Sequence, residues 1–151
     1  MLDFSADVQV SFGDCDPAGI VFYPNFFRWV DRAFHALLRE RLGGHAGVCR
    51  DLGAQGLGLM NVEMAFKSPA AEGDLLHLRI VDITWARKSY DVRYHAHIGE
   101  RLVFEAVETR GVFVRRDGRM AAGDVTPLKD LLEKGAAPND PSGKRSGNAG
   151  D

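Results

Sequence analysis

Cysteine is scarce: Cys15 and Cys49 are the only two in 151 residues, too few for a disulfide framework or a thiolate zinc site. Excess charge of either sign is also missing. Nineteen basic against 21 acidic residues leave a formal net charge of −2 and an isoelectric point near 6.2, so no overall positive field draws the chain to nucleic acid or an anionic membrane. A polyanionic ligand has to be held by a local basic cluster. No run approaches the ~18 apolar residues that span a bilayer, and Met1-Leu2-Asp3-Phe4 lacks the basic-then-apolar opening of a secretion signal. The expectation is a soluble cytoplasmic protein. Walker and Rossmann phosphate loops are absent, which counts against nucleotide hydrolysis and hydride transfer. No Gly-x-Ser-x-Gly elbow offers a serine nucleophile.

What is present is an ordinary globular composition, 45% hydrophobic and 26% charged, enough for one domain. Residues 1–134 read as that domain. Residues 135–151 carry four Gly, two Pro and nothing apolar larger than Ala, and such a segment reads as a disordered tail. Ala6 to Phe12 alternates as a strand, with Val8, Val10 and Phe12 on one face. Phe26, Trp29, Val30, Ala33, Phe34, Leu37 and Leu38 then follow helical spacing, from Pro24-Asn25 to Gly43-Gly44. Downstream the period is two. Met60 to Phe66, Leu75 to Ile83, Tyr90 to Ile98 and Leu102 to Val114 read as strands, with tight turns at Gly99-Glu100 and Asp117-Gly118. Thr126-Pro127 opens a short helix over 128–134. One long helix against one antiparallel sheet makes an α+β, two-layer fold. The mixed apolar and charged face of the sheet away from the helix suits a subunit contact or a ligand rim.

The chemistry concentrates in Phe12-Gly-Asp-Cys-Asp-Pro-Ala-Gly-Ile-Val-Phe-Tyr-Pro-Asn25, between the first strand and the helix. Amides at a helix start are unpaired and favour negative charge, so a carbonyl oxygen held there is polarised as charge develops. Asp14 or Asp16 on the same loop supplies a nucleophile or base; equally, both cap turns, which aspartate does commonly. Cys15 has no histidine nearby and reads as a small buried side chain. His95 and His97 share a strand face, with His77 a possible neighbour, but no third metal ligand is specified. Arg87-Lys88-Ser89 can grip phosphate or simply solubilise a turn, and the same two readings apply to Arg115-Arg116.

That string, together with Arg28-Trp29 and Asp31, closely resembles the 4-hydroxybenzoyl-CoA thioesterase family of the Pseudomonas type. The match runs from about Val8 to Val114, is strongest over Phe12 to Asp31, and is weaker at Trp85 to Tyr90. The resemblance implies a hotdog fold, a curled antiparallel sheet wrapped around one long helix, and hydrolysis of an acyl-CoA to free acid and CoA. It implies that Asp16 is the catalytic carboxylate and that the Tyr23 backbone amide polarises the thioester oxygen. Gly19 would let the chain pass close to the acyl group, Arg87 and Lys88 would hold the CoA phosphates, and Asp31 would reach the acyl ring of a neighbouring site. No metal or other cofactor is implied, CoA being part of the substrate, and a homo-oligomer, dimer or tetramer, is.

Phe22 and Phe26-Phe27 depart from the family in detail, and Met60 to Phe66 matches little. An aromatic acyl group, lined by Phe22, Phe26 and Phe27, is the first expectation. Short or branched aliphatic acyl groups are the alternative, and so are a hotdog module that binds acyl-CoA or an acyl-carrier arm without cleaving it and an interaction subunit of an envelope or lipid-synthesis assembly. Related hotdog enzymes with a glutamate on the central helix do not fit, because Glu40 lies at its far end.

Overall fold

The computed structural model describes residues 2–135. In chain order the elements are β1 (Phe4–Gln9), a 3₁₀ turn (Phe12–Asp14), α1 (Pro24–Leu42), α2 (His45–Leu52), β2 (Gly56–Phe66), β3 (Leu75–Trp85), β4 (Tyr90–Ile98), β5 (Arg101–Arg116), β6 (Arg119–Ala122) and α3 (Thr126–Gly135). The strands form one antiparallel sheet in the order β1-β3-β4-β5-β2, with β6 also paired to β5. Phe113 pairs with both Gly56 and Ala122, so β6 lies on the side of β5 that β4 occupies further back. This is the α+β hotdog arrangement, a curled sheet around a central helix, with two shorter helices added.

α1 is long because its apolar residues hold helical spacing for five turns and nothing breaks the run. It ends where the amides of Gly43 and Gly44 turn back onto the carbonyls of Arg39 and Leu38. Its buried stripe of Phe26, Trp29, Val30, Ala33, Phe34, Leu37 and Leu38 packs into one core with the inward residues of the sheet. Those include Leu76, Leu78, Ile80, Val92, Tyr94, Ala96, Phe104 and Ala106. Each buried Val, Leu, Ile or Phe side chain contributes roughly 1.5–3 kcal/mol on leaving water. Period-two alternation in β4 is carried through to burial: Tyr90, Val92, Tyr94 and Ala96 point in, while Arg93 is exposed.

Several elements differ from expectation. β1 is shifted toward the N-terminus, with Phe4 buried and Ala6 and Val8 packed partly buried against the core and Val10 buried just after it; Phe12 sits in the 3₁₀ turn and is 80% exposed. β2 begins at Gly56, four residues before the expected strand, because Leu57 is buried and pairs with Val112. α2 was not expected: it is an eight-residue helix with an internal glycine, and only Val48 and Cys49 are buried along it. At the start of α3 the Thr126 amide is capped by the Asp124 carboxylate at 2.8 Å, so the cap is Asp124, not Thr126. α3 also includes Gly135. The tail expected over 135–151 otherwise lies outside the described residues. The turn at Asp117-Gly118 has positive φ at both positions, 50° and 72°, as a type I′ hairpin requires.

β2 and β1 are the two edges of the sheet. The β2 edge is irregular, with a register shift between Leu59 and Asn61, and it exposes Leu59, Met60 and Phe66. No described helix is long and apolar enough to cross a membrane.

Candidate active site

The loop between β1 and α1 is folded tightly upon itself. Asp14 accepts hydrogen bonds from the Ser11 amide and hydroxyl on Oδ2, both at 2.9 Å. Its carbonyl takes the Phe22 amide and the Asn25 side-chain amide, again at 2.9 Å each. Cys15 bridges Val21, and the Asp16 amide donates to the Ile20 carbonyl at 2.9 Å. Residues 14–16 therefore run antiparallel to residues 20–22, with Asp16 next to the tip. Asp14 is consumed in holding the loop, as its turn-capping reading requires.

Asp16 also caps a turn: its Oδ1 accepts the Ala18 amide at 2.8 Å. Among the described residues that is the only hydrogen bond its carboxylate makes, so Oδ2 remains available to a ligand. One oxygen held and the other open is compatible with both the capping and the chemical reading. Gly19 has φ of +79°, and a Cβ there would meet nothing within 4 Å. Glycine is thus required by the backbone conformation, and the space in front of it is open. Asp16 and Gly19 line one surface depression with Phe12, Cys15, Pro17 and Glu72. Glu72, a second carboxylate there, carries no motif that sequence reasoning could have used.

The start of α1 presents one unpaired amide. Phe22 N donates to Asp14 O, Asn25 N to Phe22 O, and Phe26 N to Tyr23 O, while Pro24 has no N–H. The Tyr23 amide makes no hydrogen bond to any described residue. Its ring is 59% exposed and meets Phe22, Phe27 and Phe66 at centroid distances of 5.6, 6.5 and 6.2 Å. Of the aromatics expected to line an acyl slot, Phe22 is exposed. Phe26 is not: it is 5% exposed and packs on Phe104 and Trp29. Phe66 takes its place at the surface, carried there by the β2 edge.

Asp31 belongs to a different depression, lined with Phe27, Arg28, His35, Leu59 and Val62 among others. Behind it lies the most polar part of the interior, which the sequence reading missed. Arg110 and Glu108 are 1% and 2% exposed. The Arg110 guanidinium forks onto Glu108, Nε to Oε1 at 3.0 Å and Nη2 to Oε2 at 2.9 Å, and Nη2 also reaches Asp31 Oδ1 at 2.9 Å. Tyr94 donates its hydroxyl to Glu108 Oε1 at 2.6 Å, and the guanidinium carbon stands 4.1 Å over the Phe34 ring. Burial pushes the Glu108 carboxyl up, against the pull of Arg110 and Tyr94. Burial works against the charge of Arg110 too, but Glu108 and Asp31 more than offset it and the net direction is up.

Burial also raises the Tyr90 and Tyr94 phenols, the latter well above the usual value near 10, with the Glu108 charge adding to it. Below about pH 10 both folded and unfolded chains keep these protons and nothing changes. Above it the unfolded chain ionises while the fold resists, so stability falls as pH rises. Of the three tyrosines, two are expected to show phenolate absorbance only as the native circular dichroism is lost. Reversible ionisation of all three with the fold intact would contradict the burial.

Arg87 and Lys88 lie in the β3–β4 turn, closed by Ala86 N to Ser89 O at 2.9 Å and braced by Val125 N to Arg87 O at 3.1 Å. Both are exposed, and neither lines the Asp16 or the Asp31 depression. Arg87 is near Asp124, whose carboxyl is held low by its Thr126 hydrogen bonds and, to a smaller degree, by Arg87. The chain therefore brings Asp16 and Gly19 together on the loop that ends at Tyr23, and keeps Asp31 and the Arg87-Lys88 pair apart from them. His77 pairs with Asp7 at 2.6 Å and His95 with Glu105 at 3.7 Å on the outer sheet face. Among the described residues no group of three or more His, Cys, Asp or Glu is arranged to hold a metal.

A sequence profile of the thioesterase-like superfamily matches residues 10–139. The chain is 33% identical over 131 residues to the 4-hydroxybenzoyl-CoA thioesterase of Pseudomonas sp. (strain CBS-3), covering 83% of this chain and 92% of that protein. A solved structure of an Asp-to-Asn variant of 4-hydroxybenzoyl-CoA thioesterase, complexed with 4-hydroxybenzoyl-CoA, superposes with a TM-score of 0.75 at 28% identity, covering 86% of this chain and 98% of that one. A gentisyl-coenzyme A thioesterase superposes with a TM-score of 0.68 at 27% identity, over 85% and 98%. The chain belongs to the thioesterase-like superfamily and carries the hotdog fold of its thioester hydrolases.

Proposed function

We propose that this protein hydrolyses aromatic acyl-CoA thioesters, with Asp16 as the reacting carboxylate and the Tyr23 amide as the oxyanion donor. The observation that carries this reading is the pairing, on one loop, of a carboxylate with one oxygen uncommitted and a helix-start amide with no partner among the described residues. The thioester oxygen gains negative charge as the carbonyl is attacked, and a pre-aimed amide at the positive end of α1 stabilises it. Asp16 either attacks the carbonyl carbon itself or takes a proton from the attacking water. The relatives support an aromatic acyl group, as do the exposed rings of Phe22, Tyr23 and Phe66 beside the helix start.

Asp31, Arg87 and Lys88 lie away from the Asp16 depression, so in this reading a second copy of the chain completes the site. The apolar β2 edge gives that copy a surface to cover. Arg87 and Lys88 then grip the CoA phosphates, and Asp31 meets the ring of the acyl group. The test is CoA release across benzoyl-, 4-hydroxybenzoyl- and short aliphatic acyl-CoAs. Aromatic thioesters are expected to turn over with the highest kcat/KM, and binding without release across the whole panel would overturn the proposal. Lys88→Ala is expected to raise KM several-fold and leave kcat within about twofold, because a phosphate grip is uniform binding. Added salt is expected to weaken binding modestly.

A further inference from the structure

The turn between β2 and β3 stands against the Asp16 loop and divides its two acids as that loop does. The Val21 amide donates to Ala70 O at 2.8 Å, so the two segments are joined directly. Val10 N to Asp74 O and Gly73 N to Val10 O, both at 2.9 Å, tie the turn to the end of β1. Asp74 is consumed within the turn, where its Oδ2 accepts the Ala71 amide at 2.8 Å. Glu72 is not. It is exposed, and its carboxylate makes no hydrogen bond or ion pair to any described residue.

Glu72 lines the same depression, about 490 Å³ in volume, as Asp16 and Gly19. No described Lys, Arg or His lines it with them, so neither carboxylate is tied to a cation there. Asp16 has one oxygen on the Ala18 amide and only Oδ2 to offer a thioester carbonyl. Once Oδ2 has bonded to the acyl carbon, Asp16 cannot also take the proton of the water that must free it. A nucleophilic Asp16 therefore calls for a second base. Of the other lining residues only Cys15 and Glu72 can carry or release a proton, and the Cys15 thiol is turned to Ser11 O at 3.7 Å.

We infer that Glu72 is a second catalytic residue, the general base that brings water onto the acyl group after Asp16 has attacked as the nucleophile. The inference deepens, and rests on, the reading of the protein as an acyl-CoA thioesterase acting through Asp16. In the first step Asp16 Oδ2 bonds to the acyl carbon and the C–S bond breaks. CoA leaves as the thiolate and takes a proton from solvent, and a mixed anhydride remains on Asp16. In the second step Glu72 takes a proton from water as the water oxygen bonds to the acyl carbon. The bond to Asp16 Oδ2 then breaks, the carboxylate of Asp16 is restored, the free acid leaves, and Glu72 returns its proton to solvent.

The experiment follows CoA release from 4-hydroxybenzoyl-CoA by rapid mixing, with the full-length wild type, Glu72→Gln and Asp16→Asn. Glu72→Gln is expected to release about one CoA per site in a burst and then turn over about 10²-fold more slowly than wild type. Its thermal midpoint should not move, because the side chain is exposed and unbonded. Hydroxylamine, a nucleophile that needs no base to activate it, is expected to restore the slow phase of Glu72→Gln at least several-fold and to yield the hydroxamate. It should do neither with Asp16→Asn beyond the enzyme-free rate. Rescue separates slow deacylation from slow product release, which hydroxylamine cannot speed. Wild-type turnover by Glu72→Gln would overturn the inference, as would a slowed variant with no burst and no rescue, the mark of a merely structural role. If the wild type releases no CoA, or Asp16→Asn releases it at the wild-type rate, the functional reading fails and this inference with it. If both of those hold and Glu72→Gln gives neither burst nor rescue, the inference alone fails.

Discussion

Asp16→Asn is expected to lower kcat for aryl-CoA hydrolysis by on the order of 10²–10⁴-fold, the usual worth of a positioned acid, base or nucleophile. The thermal midpoint should stay where it is. The substitution is informative because the side chain's structural task survives it. Asn keeps an Oδ1 that accepts the Ala18 amide, now held at 2.8 Å, and asparagine is as good a turn residue as aspartate. What disappears is the negative charge, the nucleophilic oxygen and the capacity to take a proton. KM should change little, because the carboxylate is asked to act on the reacting carbonyl and not on the CoA handle. Wild-type CoA release by folded Asp16→Asn would sink the assignment and move attention to Glu72, the other carboxylate of that depression. Asp14→Ala makes the contrast: it removes the Oδ2 that holds the Ser11 amide and hydroxyl, so that change should loosen the loop and cost stability as well as rate.

The core of the fold was legible because burial follows period. The α1 stripe and the inward face of β4 could be read off spacing alone, since one face of each meets the other layer. Boundaries were less legible where tertiary pairing decides them. Leu57 joins β2 only because Val112 lies across from it, and nothing local distinguishes Phe12 in a 3₁₀ turn from Phe12 at the end of a strand. α2 escaped notice because it is only eight residues long, carries an internal glycine and buries just two side chains. The loop from Phe12 to Asn25 could be singled out as a dense string of acids and glycines between two elements, but its division of labour could not. That Asp14 is consumed by Ser11 while Asp16 keeps one oxygen open is a matter of hydrogen bonds. The buried pair left a usable trace: Phe104, Ala106, Glu108, Arg110 and Val112 alternate inward along β5, and two opposite charges at i and i+2 on a core face have to find each other.

Breaking that pair one partner at a time should be the most destabilising change of charge in the molecule. Arg110→Met leaves Glu108 2% exposed with Tyr94 as its one remaining side-chain donor, at an expected cost of about 3–5 kcal/mol. The pH dependence identifies the cause. Burial already pushes the Glu108 carboxyl up in the wild type, and without Arg110 nothing cationic opposes that. A carboxyl whose folded pKa exceeds its unfolded value near 4.3 favours the fold at pH below that value, and the benefit is lost as pH rises through the folded pKa. Arg110→Met should therefore be least stable at neutral and alkaline pH and recover on acidification, opposite to the usual acid denaturation of a protein with paired carboxylates. Adding Glu108→Gln removes the lone charge while Gln Oε1 still accepts the Tyr94 hydroxyl. The double variant should regain most of the loss, to within about 1–2 kcal/mol of wild type, and its stability should no longer fall between mildly acidic and neutral pH. Denaturant midpoints across that range decide the matter. A wild-type midpoint for Arg110→Met at neutral pH would mean that water reaches Glu108 and that the Glu108–Arg110 pair is not buried as described above.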